Sequence, residues 1–101
     1  MKMLLTVEFP PEPFNSLVRS GKVGESIKRI LDTIKPEVAY FMEQEGKRGG
    51  LFVVNLKSPS EVPFFAEPFF LIFQAECKFR VLMSPEDLQQ AGLEELGQKW
   101  E

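Results

Sequence analysis

Two segments of the chain alternate apolar and polar residues, one at its start and one in its C-terminal third. In Lys2–Phe9 every second residue from Met3 is apolar, and Gln74–Val81 alternates in the same way with Gln, Glu, Lys and Arg as its polar set. A period of two residues is typical of a strand, because successive side chains point to opposite faces. The sequence therefore predicts two strands, the second half exposed and at an edge of its sheet.

A helical period follows the first strand, which ends at the prolines of residues 10–13. Its apolar residues share one face of an amphipathic helix; they are Val23, Ile27, Ile30, Leu31 and Ile34. We predict a helix over Ser16–Ile34 that Pro36 stops. A kink or break is expected near Gly21, since an interior glycine weakens a helix by about 1 kcal/mol.

Two further strands are predicted over Val38–Glu45 and Gly50–Leu56. The residues between them, 46–50, include three glycines, which permit positive φ and predict a hairpin loop.

Two serine-proline pairs predict the remaining helices, because serine caps a helix and proline fits its first turn. The helix that begins at Ser58 is expected to be short, since Pro68 does not suit a helix interior. The helix that begins at Ser84 is expected to fray at Gly92 and Gly97.

The order of these elements, β-α-β-β-α-β-α, is the split βαβ pattern of a ferredoxin-like fold. We predict a single α+β domain over residues 1–101: a four-stranded antiparallel sheet, two helices on one of its faces and an added C-terminal helix.

The two middle strands are apolar on both faces. Ala39 and Phe41 point opposite to Tyr40 and Met42, and the strand over Gly50–Leu56 has the same property. Two helices cover only one face of the sheet. Burial of each large apolar side chain on the other face would contribute about 1.5–3 kcal/mol of stabilising free energy. A twofold homodimer, sheet face against sheet face, is the simple closure. The alternative is that the last helix covers this face within one chain.

Composition excludes several kinds of chemistry. The 101 residues have a net charge of −3, no histidine and one cysteine. An acidic chain is a poor match for nucleic acid. Without histidine there is no Ser-His-Asp or Cys-His nucleophile, no His-ligated haem and no His-containing zinc site. We predict no metal and no cofactor.

Apolar stretches are short throughout the chain. Met1–Leu5 is too short for a secretory signal, and two prolines and a glutamate interrupt the longest mostly apolar stretch, residues 62–73. We expect a cytoplasmic protein without a membrane partner.

Four segments resemble the dimeric α+β barrel superfamily and, within it, the small muconolactone isomerase-like proteins. They are Lys35–Phe41, Gly46–Gly50, Glu67–Phe70 and Pro85–Leu88, and with the element order the resemblance covers nearly the whole chain. It implies a dimeric α+β barrel, present as a homodimer or higher even oligomer. The activities that it implies range from isomerases and cofactor-free monooxygenases to ligand-binding regulatory domains. The haem-using branches rely on a histidine that this chain lacks.

Glu67 is the first candidate catalytic residue. Four phenylalanines surround it in the sequence and are candidate ligand-binding residues for a flat apolar molecule; they are Phe64, Phe65, Phe69 and Phe70. A carboxyl group that phenyl rings desolvate suits a general acid or base near neutral pH. The alternatives are an exposed glutamate at a helix end and phenylalanines that serve as core and interface.

Glu43 and Tyr40 are further catalytic candidates, because they are polar groups in an otherwise apolar strand. Three positions apart, they lie on opposite faces unless a bulge intervenes. Glu43 or Glu8 would act on a ligand only by facing the space between sheet and helices; the alternative is a strand end in water.

Lys47 and Arg48 in the glycine-rich hairpin are candidate ligand-binding residues for an anion, since arginine binds a carboxylate through two parallel hydrogen bonds. The alternative is a solvated hairpin tip. Cys77 is expected to be a buried structural thiol, and Trp100 an anchor that docks the last helix.

These observations favour a small homodimer that binds a small apolar or anionic molecule, with isomerase-type proton transfer and no cofactor as its chemistry if it is an enzyme. The alternative is a non-catalytic dimerisation or ligand-sensing module. A pocket with a desolvated carboxylate would favour the enzyme, and an apolar outer patch without such a pocket would favour the module.

Overall fold

The computed structural model describes residues 1–101 as one antiparallel sheet with helices on one side. The strands are β1 (Lys2–Phe9), β2 (Val38–Gln44), β3 (Lys47–Asn55) and β4 (Glu76–Val81). The helices are α1 (Pro11–Arg19), α2 (Val23–Ile34), α3 (Val62–Phe73), α4 (Pro85–Gln90) and α5 (Leu93–Lys99), and a 3-10 turn over Pro59–Glu61 precedes α3. The strand order is β2-β3-β1-β4. This is the predicted α+β, ferredoxin-like fold, with β4 at an edge as expected.

The hydrophobic core lies between the sheet and α1, α2 and α3. Its largest fully buried side chains are Phe9, Phe52, Phe73, Leu5, Leu56, Val7 and Val54. The ring of Phe9 lies 5.2 Å from that of Phe14 and 5.1 Å from that of Phe73, both edge-on. Aromatic pairs favour this geometry, because the positive edge of one ring meets the negative face of the other. Phenylalanines therefore close the helix side of the sheet.

The opposite face of the sheet has no cover. We call it the open face; its apolar side chains, placed by the strand register, are Leu4, Val38, Tyr40, Met42, Leu51 and Val53. Its β4 row is charged and consists of Glu76, Lys78 and Arg80. The predicted apolarity of both faces of the middle strands is confirmed. The alternative that the last helix covers this face within the chain is wrong, since neither α4 nor α5 packs against the sheet.

The first helix begins earlier than the predicted Ser16 and divides where a break was predicted. α1 spans Pro11–Arg19, although Glu12 within it has extended backbone angles (φ −116°, ψ 140°), and Gly21, with φ +74°, lies between α1 and α2. Proline fits the first helical turn, where its missing N–H has no helical partner to lose. The first prolines after β1 thus end the strand, and Pro13 begins the continuous part of the helix after Glu12.

The β2–β3 hairpin is tighter than the predicted five-residue loop. Glu45 and Gly46 have φ values of 52° and 81°. Two consecutive positive φ angles are typical of a two-residue turn whose twist matches that of the strands. Gly49 and Gly50 consequently belong to β3.

The helix α3 is longer than predicted, because it continues through Pro68 for 12 residues. An interior proline costs about 3 kcal/mol. Four side chains of α3 are buried and offset that cost, since each large one contributes about 1.5–3 kcal/mol; they are Phe65, Ala66, Phe69 and Phe73.

Residues 82–101, the C-terminal arm, extend away from the sheet. Ser84 caps α4: its hydroxyl accepts from the Asp87 N–H at 3.0 Å, and its N–H donates to the Asp87 carboxylate at 2.9 Å. Gly92, with φ 71°, separates α4 from α5, so the single predicted helix is two. Trp100 is 77% exposed, and the expectation that it anchors the last helix is wrong within one chain. No helix of the protein has the length and apolarity needed to cross a membrane.

Candidate ligand-binding site

A cavity opens at the end of the sheet where the β2–β3 hairpin meets α1. β1 ends at Phe9 and α1 begins at Pro11, so the chain passes directly from the sheet into the helical layer. The strand register pairs Phe9 with Arg48, and Arg48 in turn lies opposite Glu43. Three elements therefore bring aromatic and charged side chains to one place.

The cavity consists of two adjoining open hollows that share residues, and we call them together the hairpin mouth; the more apolar hollow is named the inner part and the more charged one the outer part. The inner part has a volume of about 420 Å³ and is lined by Phe9, Phe14, Ile27, Phe41, Met42, Arg48 and Gly49. The outer part, about 490 Å³, shares Phe9, Met42 and Arg48 and adds Pro11, Glu43, Gly46 and Lys47. The inner part is lined mostly by apolar residues and the outer part by more charged ones, and a mainly apolar lining with a few polar groups is typical of small-molecule sites.

Arg48 is the central polar group of the hairpin mouth. Its guanidinium carbon lies 4.4 Å from the centroid of the Phe14 ring, and its Nη1 donates to the side-chain Oδ1 of Asn15 at 2.7 Å. The ring face attracts the cation and the amide fixes its orientation. No carboxylate lies within ion-pair distance of Arg48. Its remaining N–H groups are therefore available to an anion.

Glu43 faces the same side of the sheet as Arg48, but its carboxylate serves the hairpin turn. Its Oε2 accepts from the Gly46 N–H at 2.6 Å. Gly50 lies on the same side of the sheet, and the Phe52 ring occupies the space beside it. A Cβ at Gly50 would lie only 2.8 Å from that ring. Glu43 is thus the carboxylate of the hairpin mouth, held at its rim.

Two other predicted site residues lie on the open face. Tyr40 is paired with Leu51 and is 68% exposed. Lys47, paired with Gln44 across the hairpin, also borders the outer part of the hairpin mouth, but its Nζ lies 3.9 Å from the Glu8 carboxylate. Glu43 and Tyr40 are on opposite faces, as predicted, and the structure does not bring them together.

Glu67 lies on the outer side of α3, away from the hairpin mouth. It is exposed, so the expectation that phenyl rings exclude water from its carboxylate is wrong. With Arg29, Thr33 and Phe64 it lines a separate groove of about 410 Å³ between α2 and α3.

The four candidate phenylalanines divide between core and surface. Phe65 and Phe69 are 6% and 2% exposed and fill the core, whereas Phe64 and Phe70 are 50% and 40% exposed. Adjacent positions on a helix face different directions, so one run of phenylalanines cannot line one pocket. Of these four, only Phe64 lines one of the cavities described above.

Cys77 is half-buried on the helix side of β4. Burial, with a smaller contribution from the nearby negative charge of Glu67, raises the pKa of its thiol to about 12. A thiol is nucleophilic as its thiolate. Cys77 is therefore unreactive near neutral pH, as expected of a structural thiol.

Three site residues were not predicted from the sequence: Phe14, Asn15 and Phe41. The first two lie on the part of α1 that was predicted to be non-helical. Consecutive prolines followed by an acidic residue are a helix-start signal that would have included them. Nothing in the local pattern marks Phe41, because its place at the mouth depends on the pairing of β2 with β3.

No family model matches the sequence, and no curated protein matches it. Among solved structures, the chain is similar to 5-chloro-2-hydroxyhydroquinone dehydrochlorinase (TftG) from Burkholderia phenoliruptrix AC1100, in complex with 2,5-dihydroxybenzoquinone. The TM-score is 0.63 at 16% identity, over 85% of this chain and 97% of that chain. At this identity the similarity shows the shared α+β fold.

Proposed function

We propose that this protein binds a small, flat molecule with an apolar ring and an anionic oxygen at the hairpin mouth. The ring enters the inner part of the cavity beside Phe9, Phe14 and Phe41, and the oxygen meets Arg48 at the rim. The proposal has two further parts, both expected from the sequence. The protein is related to the muconolactone isomerase-like proteins, and it forms a homodimer.

The main support for the proposal is that Arg48 has no carboxylate partner. Arg48 lies on an aromatic ring and is oriented by Asn15, yet has no carboxylate partner although Glu43 is opposite in register. A guanidinium with free N–H groups at the mouth of an apolar cavity matches a carboxylate or enolate attached to a ring.

The structural similarity supports the same chemical class. TftG, whose fold this chain shares, was solved with 2,5-dihydroxybenzoquinone, a flat six-membered ring with oxygen substituents. A ring of that size fits a cavity of about 420 Å³.

Catalysis and simple binding differ in what they require of Glu43. If the protein is an isomerase without a cofactor, Glu43 is the carboxylate at the mouth that would exchange a proton with a bound ring. If it is a ligand-sensing module, Glu43 serves only the hairpin through its bond to the Gly46 N–H. Glu43→Gln separates the two, because glutamine still accepts that bond but carries no exchangeable carboxyl proton.

The homodimer in this proposal forms through the open face. Its six apolar residues are supported by three neighbouring strands, and no element of the same chain packs on them. Burying several such side chains outweighs a moderate cost of association.

Ligand binding is tested with benzoate and 2,5-dihydroxybenzoquinone as probes, by calorimetry or NMR chemical-shift changes. Arg48→Met should weaken binding of both by about 10- to 100-fold, the loss of a hydrogen-bonded charge pair, and Arg48→Lys should weaken it less. Arg29→Gln, in the α2–α3 groove, is the matched control and should have no effect. Equal binding by wild type and Arg48→Met, or a loss on Arg29→Gln alone, would contradict the proposal.

A further inference from the structure

The C-terminal arm has an apolar ridge that nothing in the same chain covers. Leu93, Leu96 and Trp100 recur three and four positions apart, on one side of α5, and are 57%, 44% and 77% exposed. Residues at this spacing are neighbours on a helix surface. Leu88 of α4, 45% exposed, adds to the ridge. A ridge of this kind is typical of a helix that packs against another surface.

The shape of the molecule shows how far this ridge lies from the core. The protein measures 60 × 28 × 19 Å and its radius of gyration is 17.2 Å. A compact domain of this length has a radius of gyration of about 13 Å. The difference arises because the arm extends from the end of β4 instead of folding onto the sheet.

The arm and the open face have complementary charges. The arm contains five of the 15 carboxylates of the chain and one of its 12 basic residues. On the open face, Lys78 and Arg80 of β4 have no ion-pair partner. The carboxylates of Glu94 and Glu95, beside the apolar ridge, have none either.

We propose that the arm of one copy docks on the open face of a second copy of this chain. The arm crosses the open face, so that its ridge packs on the apolar residues from Tyr40 and Met42 on β2 inwards and its carboxylates lie towards Lys78 and Arg80 on β4, at the opposite edge. Reciprocal docking is a closed twofold arrangement, in which the same two surfaces meet twice. The inference rests on the proposed homodimer and goes beyond it by naming the segment that the two copies exchange.

Trp100 reports on this docking directly, because it is the only tryptophan in the chain. In a free arm its indole is in water. Docking on a second copy should shift its emission to shorter wavelength and reduce quenching by acrylamide, in step with dimer formation as the protein concentration rises. Leu93→Glu should abolish the shift, and Leu93→Met should retain it.

A mixing experiment separates docking between copies from docking within one chain. The first protein carries Lys78→Glu and Arg80→Glu, so its open face repels acidic arms, but it retains Trp100. The second carries Trp100→Phe, so it has an intact open face and no tryptophan signal. The first protein alone should show water-exposed emission, and addition of the second should restore the shift to shorter wavelength. Lys78→Arg with Arg80→Lys is the control that keeps the charge and should behave as wild type.

The outcomes distinguish the arm from the dimer. A dimer by sedimentation whose Trp100 is quenched as readily as free indole would overturn arm docking and leave the proposed dimer in place. Failure of the second protein to restore the shift would show docking within one chain and overturn exchange. A monomer at all concentrations would overturn both.

Discussion

Arg48 illustrates how one side chain acquires a binding role from its neighbours. The Phe14 ring covers one face of the guanidinium, and Asn15 occupies Nη1. A planar group held in this way presents its remaining edge in one direction, with little rotamer entropy left to lose on binding. Arg48 stays exposed at the hairpin mouth, and these two contacts set the direction in which its free N–H groups point.

Cys77 is the residue whose chemistry the surroundings suppress most. With a pKa raised to about 12, its thiolate fraction in the folded protein is about 1,000-fold below that of an ordinary thiol near pH 8. We expect alkylation by iodoacetamide to be slower by a similar factor in folded than in urea-unfolded protein. Alkylation at equal rates would show that Cys77 is accessible and ionised.

The same shift makes stability depend on pH in the alkaline range. The folded-state pKa is raised from 9.0 to about 12, so between these values the folded state binds more protons than the unfolded state. The free energy of unfolding therefore falls as pH rises from about 9 towards 12. Cys77→Ala should remove this part of the pH dependence, as measured by urea unfolding at pH 8 and pH 10.5. Identical pH dependence in the two proteins would contradict the assignment.

At the scale of elements, packing overrides local preference in α3 and β3. Pro68 remains inside a helix because Phe65, Phe69 and Phe73 on the same helix are buried. Gly49 and Gly50, which locally suggest a loop, lie in a strand because close approach of side chains requires them there. The helix penalties of glycine and proline are about 1 and about 3 kcal/mol, which is comparable with the burial of one large side chain.

Gly50 and Gly24 provide a matched pair for testing this explanation. A Cβ at Gly50 would lie 2.8 Å from the Phe52 ring, whereas a Cβ at Gly24 would have nothing within 4 Å. Gly50→Ala should lower the free energy of unfolding by about 1–3 kcal/mol through overpacking. Gly24→Ala, in α2, should raise it by up to about 1 kcal/mol. Urea unfolding measures both, and a neutral Gly50→Ala would show that the core has room for the methyl group.

At the scale of the whole molecule, the protein has one sealed side and one open side. Phenylalanine side chains cover the helix side of the sheet. The open face has apolar side chains on β1, β2 and β3 and a charged row on β4. Contiguous apolar surface of this kind marks an interaction site in soluble proteins. The arm, which carries its own uncovered ridge, is the second such surface.

The dimer is tested by sedimentation at micromolar concentration, which should give about twice the monomer mass. Val53→Lys places a charge in the middle of the open face and should yield monomer, because an unpaired buried charge is costly. Thr33→Lys adds the same charge on the exposed helical side and should remain dimeric. Wild-type protein that sediments as a monomer would end the dimer proposal.

How much was predictable depended on whether a feature is local. The alternation in Lys2–Phe9 predicted β1 with its observed bounds, because one strand repeats one local pattern. The order of elements was enough to predict the ferredoxin-like fold, and the pair Ser84 and Pro85 was enough to predict the start of α4. The break near Gly21 was predictable for the same reason, since backbone freedom belongs to the residue itself.

The candidate site was much less predictable, because it is made by contacts between distant residues. The sequence by itself determined that Arg48 lies in a hairpin and that Glu43 and Tyr40 face opposite ways. Only the tertiary structure decided that Phe14 and Asn15 meet Arg48, 33 positions along the chain from Asn15, and that Glu67 faces water. A local pattern indicates on which side of its own helix or strand a residue lies. A site depends on which helices and strands come into contact, and the packing of the whole chain determines those contacts.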